Sequence, residues 1–591
     1  MKYIKVLPFL LVFVLAASLL LVTPGTRAEA AATSAEYSAS QDEVTITLSD
    51  SGSSASSPAV SVSGSTVTIT AAGDYVITGS LSDGQIIVDA PEDAKVRLIL
   101  NGVSIVKKGH AAIYAVSADK LVLSTVAGSE NFLQAAGEFT QADSDKVDAA
   151  VYAACDLTLS GEGTLNVSCL NGHAIVSRDD LKLKSGTVNL EASNKGLVGK
   201  DSVTIEGGVL NADVGTDGVY SENIDSNGGG GITITGGTVN LLTQKDGLDA
   251  AGDIVIEDGT IVINAGSGQE GKGIKSDADI RLSGGSLSVT AVDDAVHAGG
   301  SVAVSGGELT LSTGDDGIHA DSAVLISDGG VYVTQSYEGI EGQVIEVSGG
   351  TVRVNARDDG FNAAGGNDGS NGYGFFGGDP FDTDTSASLT ISGGTVIVNA
   401  DGDGLDSNGT LNVSGGTVYV SGPTNSANGA LDSGLGATVT GGTVIAAGAS
   451  GMAENFGQGS TQGSVLLSFS AQAAGSTVSI ADESGNVLAS FQPEKSYSSV
   501  VISTPSLVQG GTYTVTAGTE TQTVTLTDLI NGSGMGMMGG PGMGRWGNQG
   551  QNPWGDRNLN AMDPGMNRDD SAFGPGGQNM GPGHSGPGWR G

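Results

Sequence analysis

The sequence predicts an all-β protein: a parallel β-helix of about 22 residues per coil, with a small C-terminal β module and a disordered Gly/Met/Pro-rich tail. Three observations predict it. A unit reading roughly DG-h-x-A-x-x-x-h-x-h-s-G-G-t-h-x-h-x-A recurs from residue 172 to about 448. Its turn glycines fall at Gly186, Gly208, Gly237, Gly259, Gly285, Gly307, Gly329, Gly350, Gly394, Gly416 and Gly442, and six of the ten intervals are 21 or 22. Each glycine is flanked by two short alternations of period two, such as Ile280/Leu282 with Leu287/Val289 and Val302/Val304 with Leu309/Leu311. Alternation at period two means strands with one buried face. A coil that cannot bury its apolar side alone must stack on its neighbours.

The elements follow in order. Residues 1–30 read as an export signal: Lys2 and Lys5 at the start, the apolar run Val6–Val22, then Ala28-Glu29-Ala30 as a small-residue cleavage site. The mature chain is therefore expected outside the cell, secreted and free of any membrane-inserted segment. Residues 31–170 carry the repeat grammar loosely, with strands expected at Val96–Leu100, Val103–Val106 and Leu121–Leu123. Ala111–Ala115 resembles Ala149–Ala153 as a coil start, and the region reads as an N-terminal cap and first coils. Residues 171–462 hold the regular coils. The intervals of 29 and 44 mark insertions, the longer being a Gly/Asp/Phe-rich surface loop over roughly residues 365–387. Residues 463–530 suit a small antiparallel module with turns at Glu483-Ser484-Gly485-Asn486 and Gln509-Gly510-Gly511. Residues 531–591 contain 19 glycines and 6 prolines and read as disorder.

Composition excludes several function classes. Asp and Glu number 65 against 25 Lys and Arg, a formal charge of -40. That balance excludes sequence-independent nucleic-acid binding and docking on an anionic membrane surface. Of 591 residues, 97 are glycine without a Gly-X-Y period, so the chain is not collagen. Cys155 and Cys169 are too few for a disulfide framework, and a single bridge between them stays open at this stage.

The acids gather at one corner of the coil. Unit starts contain Asp217, Asp246, Asp293-Asp294, Asp315-Asp316, Glu338, Asp358-Asp359 and Asp403, with Asp249, Glu341 and Asp406 three residues after a corner acid. Asp225 and Asn227 stand in the first insertion. Stacked coils lie ~4.8 Å apart, so equivalent carboxylates repel unless something neutralises them. With few bases expected beside this column, Ca²⁺ is the natural partner, being a hard cation that takes six to eight oxygens. The expected metal residues are Asp217, Asp225, Asp246, Asp249, Asp293, Asp294, Asp315, Asp316, Asp358, Asp359, Asp403 and Asp406. His297 and His319, 22 apart, stack; lacking a matched ligand set, they read as surface residues.

The outward positions of each second strand read, down the stack, Asn166, Asn189, Asn211, Asn240, Val262, Ser288, Thr310, Tyr332, Arg353, Ile397, Tyr419 and Ile445. The Asn half suits either sugar hydroxyls or a self-pairing amide ladder. Tyr332, Arg353 and Tyr419 are the expected carbohydrate-binding patch.

These residues resemble a known family. The runs "SVSGSTVTITAAGDYVITGSLSDGQIIVDA", "VRLILNGVSI", "DAAVYAACDLTLSGEGTLNV" and the repeated "DGI…ISGGT" are similar to the secreted clostridial carbohydrate-binding β-helix family, over roughly residues 60–530. The resemblance implies a right-handed, polysaccharide-lyase-like β-helix with bound calcium. It also implies binding of cellulose or acidic sugars, without established catalysis. Its acidic turn motifs carry over onto Asp217, Asp246, Asp294, Asp316, Asp359 and Asp403. The Asp-Gly pair is broken at Lys272-Gly273 and Asp294-Ala295, which puts calcium in doubt in those coils.

The expected function is an exported, non-catalytic protein that binds plant cell-wall or other extracellular polysaccharide. The alternatives are a calcium-dependent pectate-type lyase, with Arg353 or Arg357 as base, and a structural or adhesive surface protein.

Overall fold

The computed structural model describes residues 42–140, 146–223, 229–266, 270–364 and 383–532. The expected signal at 1–30, the tail from 533 onward, Asp225, Asn227 and most of the 365–387 loop lie outside the described residues.

The chain is all-β, a parallel solenoid of about 14 turns with about 24 residues per turn, and it carries a separate small sheet. Insertions lift the mean turn above the 22-residue repeat. Each regular coil holds three strands where the alternation marked two. One coil runs Leu197–Gly199, Ser202–Ile205 and Val209–Val214; the next runs Val219–Ser221, Gly231–Ile234 and Thr238–Thr243. The extra strand is the h-x-A run after the corner acid. At three residues it is too short to register as an alternation.

Register makes the core. Leu197 pairs with Val219, Val203 with Ile232 and Leu210 with Val239, and the same equivalence repeats along the stack. Every inward position therefore meets its own counterpart and is fully buried. Each such Leu, Ile or Val contributes roughly 1.5–3 kcal/mol on burial. Between the second and third strands the chain turns through stacked glycines. Gly394, Gly416 and Gly442 have φ of 74°, 75° and 80°. A Cβ on Gly416 would lie 2.6 Å from the Gly393 carbonyl, so the turns stack backbone on backbone.

At the N-terminal end, Val44–Leu48 pairs in parallel with Gly73–Leu81, and an antiparallel hairpin joins Val60–Ser63 to Thr66–Ile69. The two strands expected at Val96–Leu100 and Val103–Val106 are one, Lys95–Lys108. Ile113–Ser117 stacks on Ala149–Ala153, matching Ile113 to Val151.

The C-terminal region differs from an independent module. Val478–Ala481, Val487–Phe491, Thr512–Ala517 and Glu520–Thr525 form the expected antiparallel sheet. However, Tyr497–Ser503 pairs antiparallel with Thr443–Gly448, the last strand of the solenoid, and Ser464–Gln472 pairs on its other side. An apolar cluster including Ile445, Val465, Val478, Val500 and Val515 joins the two parts. The region thus covers an edge that would otherwise be open to another chain. Among the described residues no helix is long and apolar enough to cross a membrane.

Candidate cation-binding corner

The corner is a ladder built by the backbone. The residue after each corner acid donates its N–H to the corner carbonyl of the next coil: Gly218 to Asp246, Gly247 to Lys272, Gly273 to Asp294, Ala295 to Asp316, Gly317 to Glu338, Gly339 to Asp359 and Gly360 to Asp403. Lys195, Asp217, Asp246, Lys272, Asp294, Asp316, Glu338, Asp359 and Asp403 thus form one column. Three residues on, strand register aligns Tyr220, Asp249, Lys275, His297, His319, Glu341, Asn362 and Asp406 as a second.

One oxygen in each of five corner Asp residues has a backbone task. Asp217 Oδ1 accepts the Asp246 N–H (3.3 Å), Asp246 Oδ1 that of Lys272 (2.8 Å) and Asp294 Oδ1 that of Asp316 (3.1 Å). Asp359 Oδ1 does the same for Asp403 (2.6 Å), and Asp403 for Gly429. Asp suits these corners because its carboxylate reaches a corner N–H one coil away. The other oxygen still needs a charge partner.

In the earlier coils that partner is lysine, which corrects the expectation of few bases beside the column. Lys195 pairs with Asp217 and lies 3.1 Å over the Tyr220 ring. Lys272 bonds Asp294 and stands 3.2 Å from Asp293, while Lys275 lies 3.1 Å from Asp249. Burial pushes the Asp294 carboxyl up, but His297 at 2.8 Å and Lys272 outweigh it and hold it at about 2. Burial raises Asp246 and Asp249. Carboxylate oxygens of Asp217, Asp246 and Asp249 converge within 4.8 Å, as do those of Asp293, Asp294 and Asp315.

His319 is fully buried, not on the surface, and stacks on His297 with ring centroids 4.7 Å apart. Its Nδ1 lies 2.9 Å from Glu341 Oε2 and 3.1 Å from Asp316 Oδ2, and Nε2 lies 3.3 Å from Asp321. Burial alone would lower its pKa; Asp316 and Glu341 raise it to about 11. Burial drives Asp316 upward, reinforced by Asp294 and Glu341 and opposed by His319. Asp316, His319 and Glu341 also bring ligand atoms within 4.8 Å of one another.

Beyond this point lysine disappears. Between Ala295 and Glu454 the sequence has only Arg353 and Arg357 as cationic residues besides the two histidines. Burial, followed by the charge of neighbouring carboxylates, raises Glu338 to about 7, Asp359 to about 9, Asp406 to about 8 and Glu454 to about 7. Burial also takes Asp403 to about 7. Asn362 donates to Glu338 at 2.8 Å. Asp358 sits beside this row, one residue before the corner. Asp432 and Glu454 belong to the row yet escape the sequence pattern. The insertion after Ser421 breaks the Asp-Gly rhythm, and only the bridge between Leu405 and Leu431 sets Asp432 on Asp406.

Two residues of the expected carbohydrate patch meet the C-terminal region. Tyr419 stacks on Phe491 at 4.7 Å and 4°, and Arg353 is ion-paired with Glu494. Both touch the C-terminal region yet stay half-buried, as does Tyr332. The Asn half is an amide ladder: Asn189 donates to Asn166 (2.9 Å), Asn211 to Asn189 (2.8 Å) and Asn240 to Asn211 (2.8 Å). Arg357 donates to the carbonyls of Ser336 (3.3 Å) and Gly314 (2.6 Å). Cys155 and Cys169 are both free and buried.

Residues 63–317 match the sequence model of a family described as carbohydrate-binding domain-containing protein. A curated relative with that description, from Acetivibrio thermocellus, is 34% identical over 125 residues, 21% of this chain and 44% of the relative. The chain thus spans less than half the length of that relative. A solved structure of a polysaccharide lyase-like protein from C. thermocellum, a gadolinium derivative, is 27% identical. It aligns over 49% of this chain and 100% of its own, with a TM-score of 0.35. The family and the curated relative to which this chain is similar are both carbohydrate-binding domain-containing proteins.

Proposed function

We propose that this chain is an exported, non-catalytic polysaccharide-binding protein whose corner acids hold Ca²⁺. The similarity of residues 63–317 to carbohydrate-binding domains supports the ligand class, with cellulose and pectic or other acidic cell-wall glycans as the candidates. The charged start, apolar run and Ala-Glu-Ala site of residues 1–30 support export.

The single observation that carries the calcium reading is the acidic row from Asp316 to Glu454, buried at Asp316, half-buried beyond it and without a lysine. Neighbouring carboxylates, Glu341 and Asp432 among them, add to the effect of burial in raising Asp316, Glu338, Asp359, Asp403, Asp406 and Glu454. Carboxylates with an Asn362 amide make an oxygen donor set that fits Ca²⁺. Lys195, Lys272 and Lys275 meet the same electrostatic need in the earlier coils. Calcium would supply charge neutralisation and cross-coil stiffness. An acidic glycan additionally needs that charge, because the chain itself carries -40. The lyase alternative rests on Arg353 and Arg357, and both side chains are engaged with protein partners.

The test is co-sedimentation of the full chain with cellulose and with calcium-pectate gel, in calcium and in chelator, beside a melting scan of each sample. Expected are binding to at least one polymer and a lower melting temperature in chelator. Absence of binding to either polymer removes the glycan reading; identical melting in both buffers removes the calcium reading.

A further inference from the structure

Tyr337 is the only aromatic side chain among the described residues that is exposed, at 45%. Every other described Phe or Tyr is buried or half-buried. Tyr337 sits one residue before the corner column, on the outer rim of the acidic row. Its N–H donates to the Asp315 carbonyl (2.8 Å), and its own carbonyl accepts the Asp358 N–H (2.9 Å). Asp315 and Asp358 are therefore its neighbours one coil away on either side, at ~4.8 Å. The Asp358 carboxylate faces its phenol and raises the phenol's pKa. The Arg357 guanidinium carbon lies 5.9 Å from the ring centroid; its Nε donates to the Ser336 carbonyl and Nη2 to that of Gly314, and Nη1 has no hydrogen-bond partner among the described residues. The residue is thus held by its backbone on both sides and its ring is flanked by a guanidinium, while nearly half of its surface faces solvent.

We infer that Tyr337 is the stacking platform for one uncharged pyranose unit of a polysaccharide, with Asp315 and Asp358 as acceptors for its hydroxyls and Arg357 as a donor. The inference rests on the polysaccharide-binding reading and names its contact site. A pyranose presents an apolar C–H face bordered by hydroxyls. A rigid tyrosine supplies contact area at low entropy cost, and the carboxylates beside it accept hydroxyl protons without rearranging. An anionic sugar at this spot would meet two carboxylates and one guanidinium, so the rim favours a neutral sugar. The alternation pattern gave no hint of this residue, because Tyr337 lies in a bend between strands.

The experiment titrates the full chain, in calcium, with cellohexaose and with an oligogalacturonate of equal length, comparing wild type, Tyr337→Ala and Tyr337→Phe. Cellohexaose affinity should fall about tenfold or more in Tyr337→Ala and stay within about threefold in Tyr337→Phe, which keeps the ring. Melting temperature should not change, since the ring packs against no core; affinities are compared where both forms are folded. Wild-type affinity in Tyr337→Ala overturns the platform while leaving the polysaccharide reading intact. A loss confined to oligogalacturonate overturns the neutral-sugar assignment. If wild type binds neither probe and neither polymer of the sedimentation test, the platform and the polysaccharide reading both fall.

Discussion

Two residue types show how burial in this solenoid changes side-chain chemistry. Cys155 and Cys169 are inward or near-inward positions, and burial pushes both thiols up to about 11. The thiolate is the reactive form, so neither should react with a thiol-specific disulfide reagent in the folded chain. Titration should find no reactive thiol in native buffer and two in denaturant; a native reaction at either site contradicts the packing. Lys272 is the complementary case. Its ammonium neutralises Asp294, which is almost wholly buried, so Lys272→Ala strands a charge. The expected cost is about 3 kcal/mol, towards the low end for breaking a buried pair, because His297 remains on Asp294. The denaturant midpoint measures it, and calcium should reduce the loss if a cation can take the lysine's place.

At the scale of the element, the corner ladder has a pH signature. Glu338, Asp359, Asp403 and Asp406 have folded pKa values of about 7 to 9 against ordinary values of 3.8 for Asp and 4.5 for Glu. Such raised carboxyls hold their protons in the folded chain after the unfolded chain has released them. Their contribution is therefore fully present below the unfolded value and is lost as pH rises towards about 9. In chelator the melting temperature should fall steadily from pH 5 to pH 9. A bound divalent cation favours the ionised form, so calcium should flatten that slope. A melting temperature that rises with pH in chelator would falsify the uncompensated row. The column itself is legible in the sequence, as is its second file three residues on. The lysine partners were legible too: Lys195 precedes Asp217 by 22 residues and Lys272 precedes Asp294 by 22, the repeat itself. They escape notice when bases are sought beside an acid in the same coil, since the relevant neighbour is one coil away.

The whole molecule depends on its C-terminal closure. Tyr497–Ser503 occupies the edge of Thr443–Gly448, and the joint apolar core includes Ile445 from the solenoid. Removing residues 463–532 exposes that edge and face. The truncated chain should therefore associate or aggregate, as light scattering after size exclusion will show; a monodisperse, equally stable truncation argues against closure as the role of this region.

The periodicity alone determined the parallel stack, the inward columns, and the outward column from Asn166 to Ile445. Repeat register converts sequence spacing directly into contact, so residues one period apart must be neighbours. What only the tertiary structure decided lies outside that rule. Phe491 on Tyr419 and Glu494 on Arg353 join segments that share no period, and they bring the C-terminal region against the expected glycan patch. Asp432 joins the acidic row after an irregular insertion, through a single bridge. Tyr337 gains its meaning from exposure, which depends on what the rest of the chain leaves uncovered.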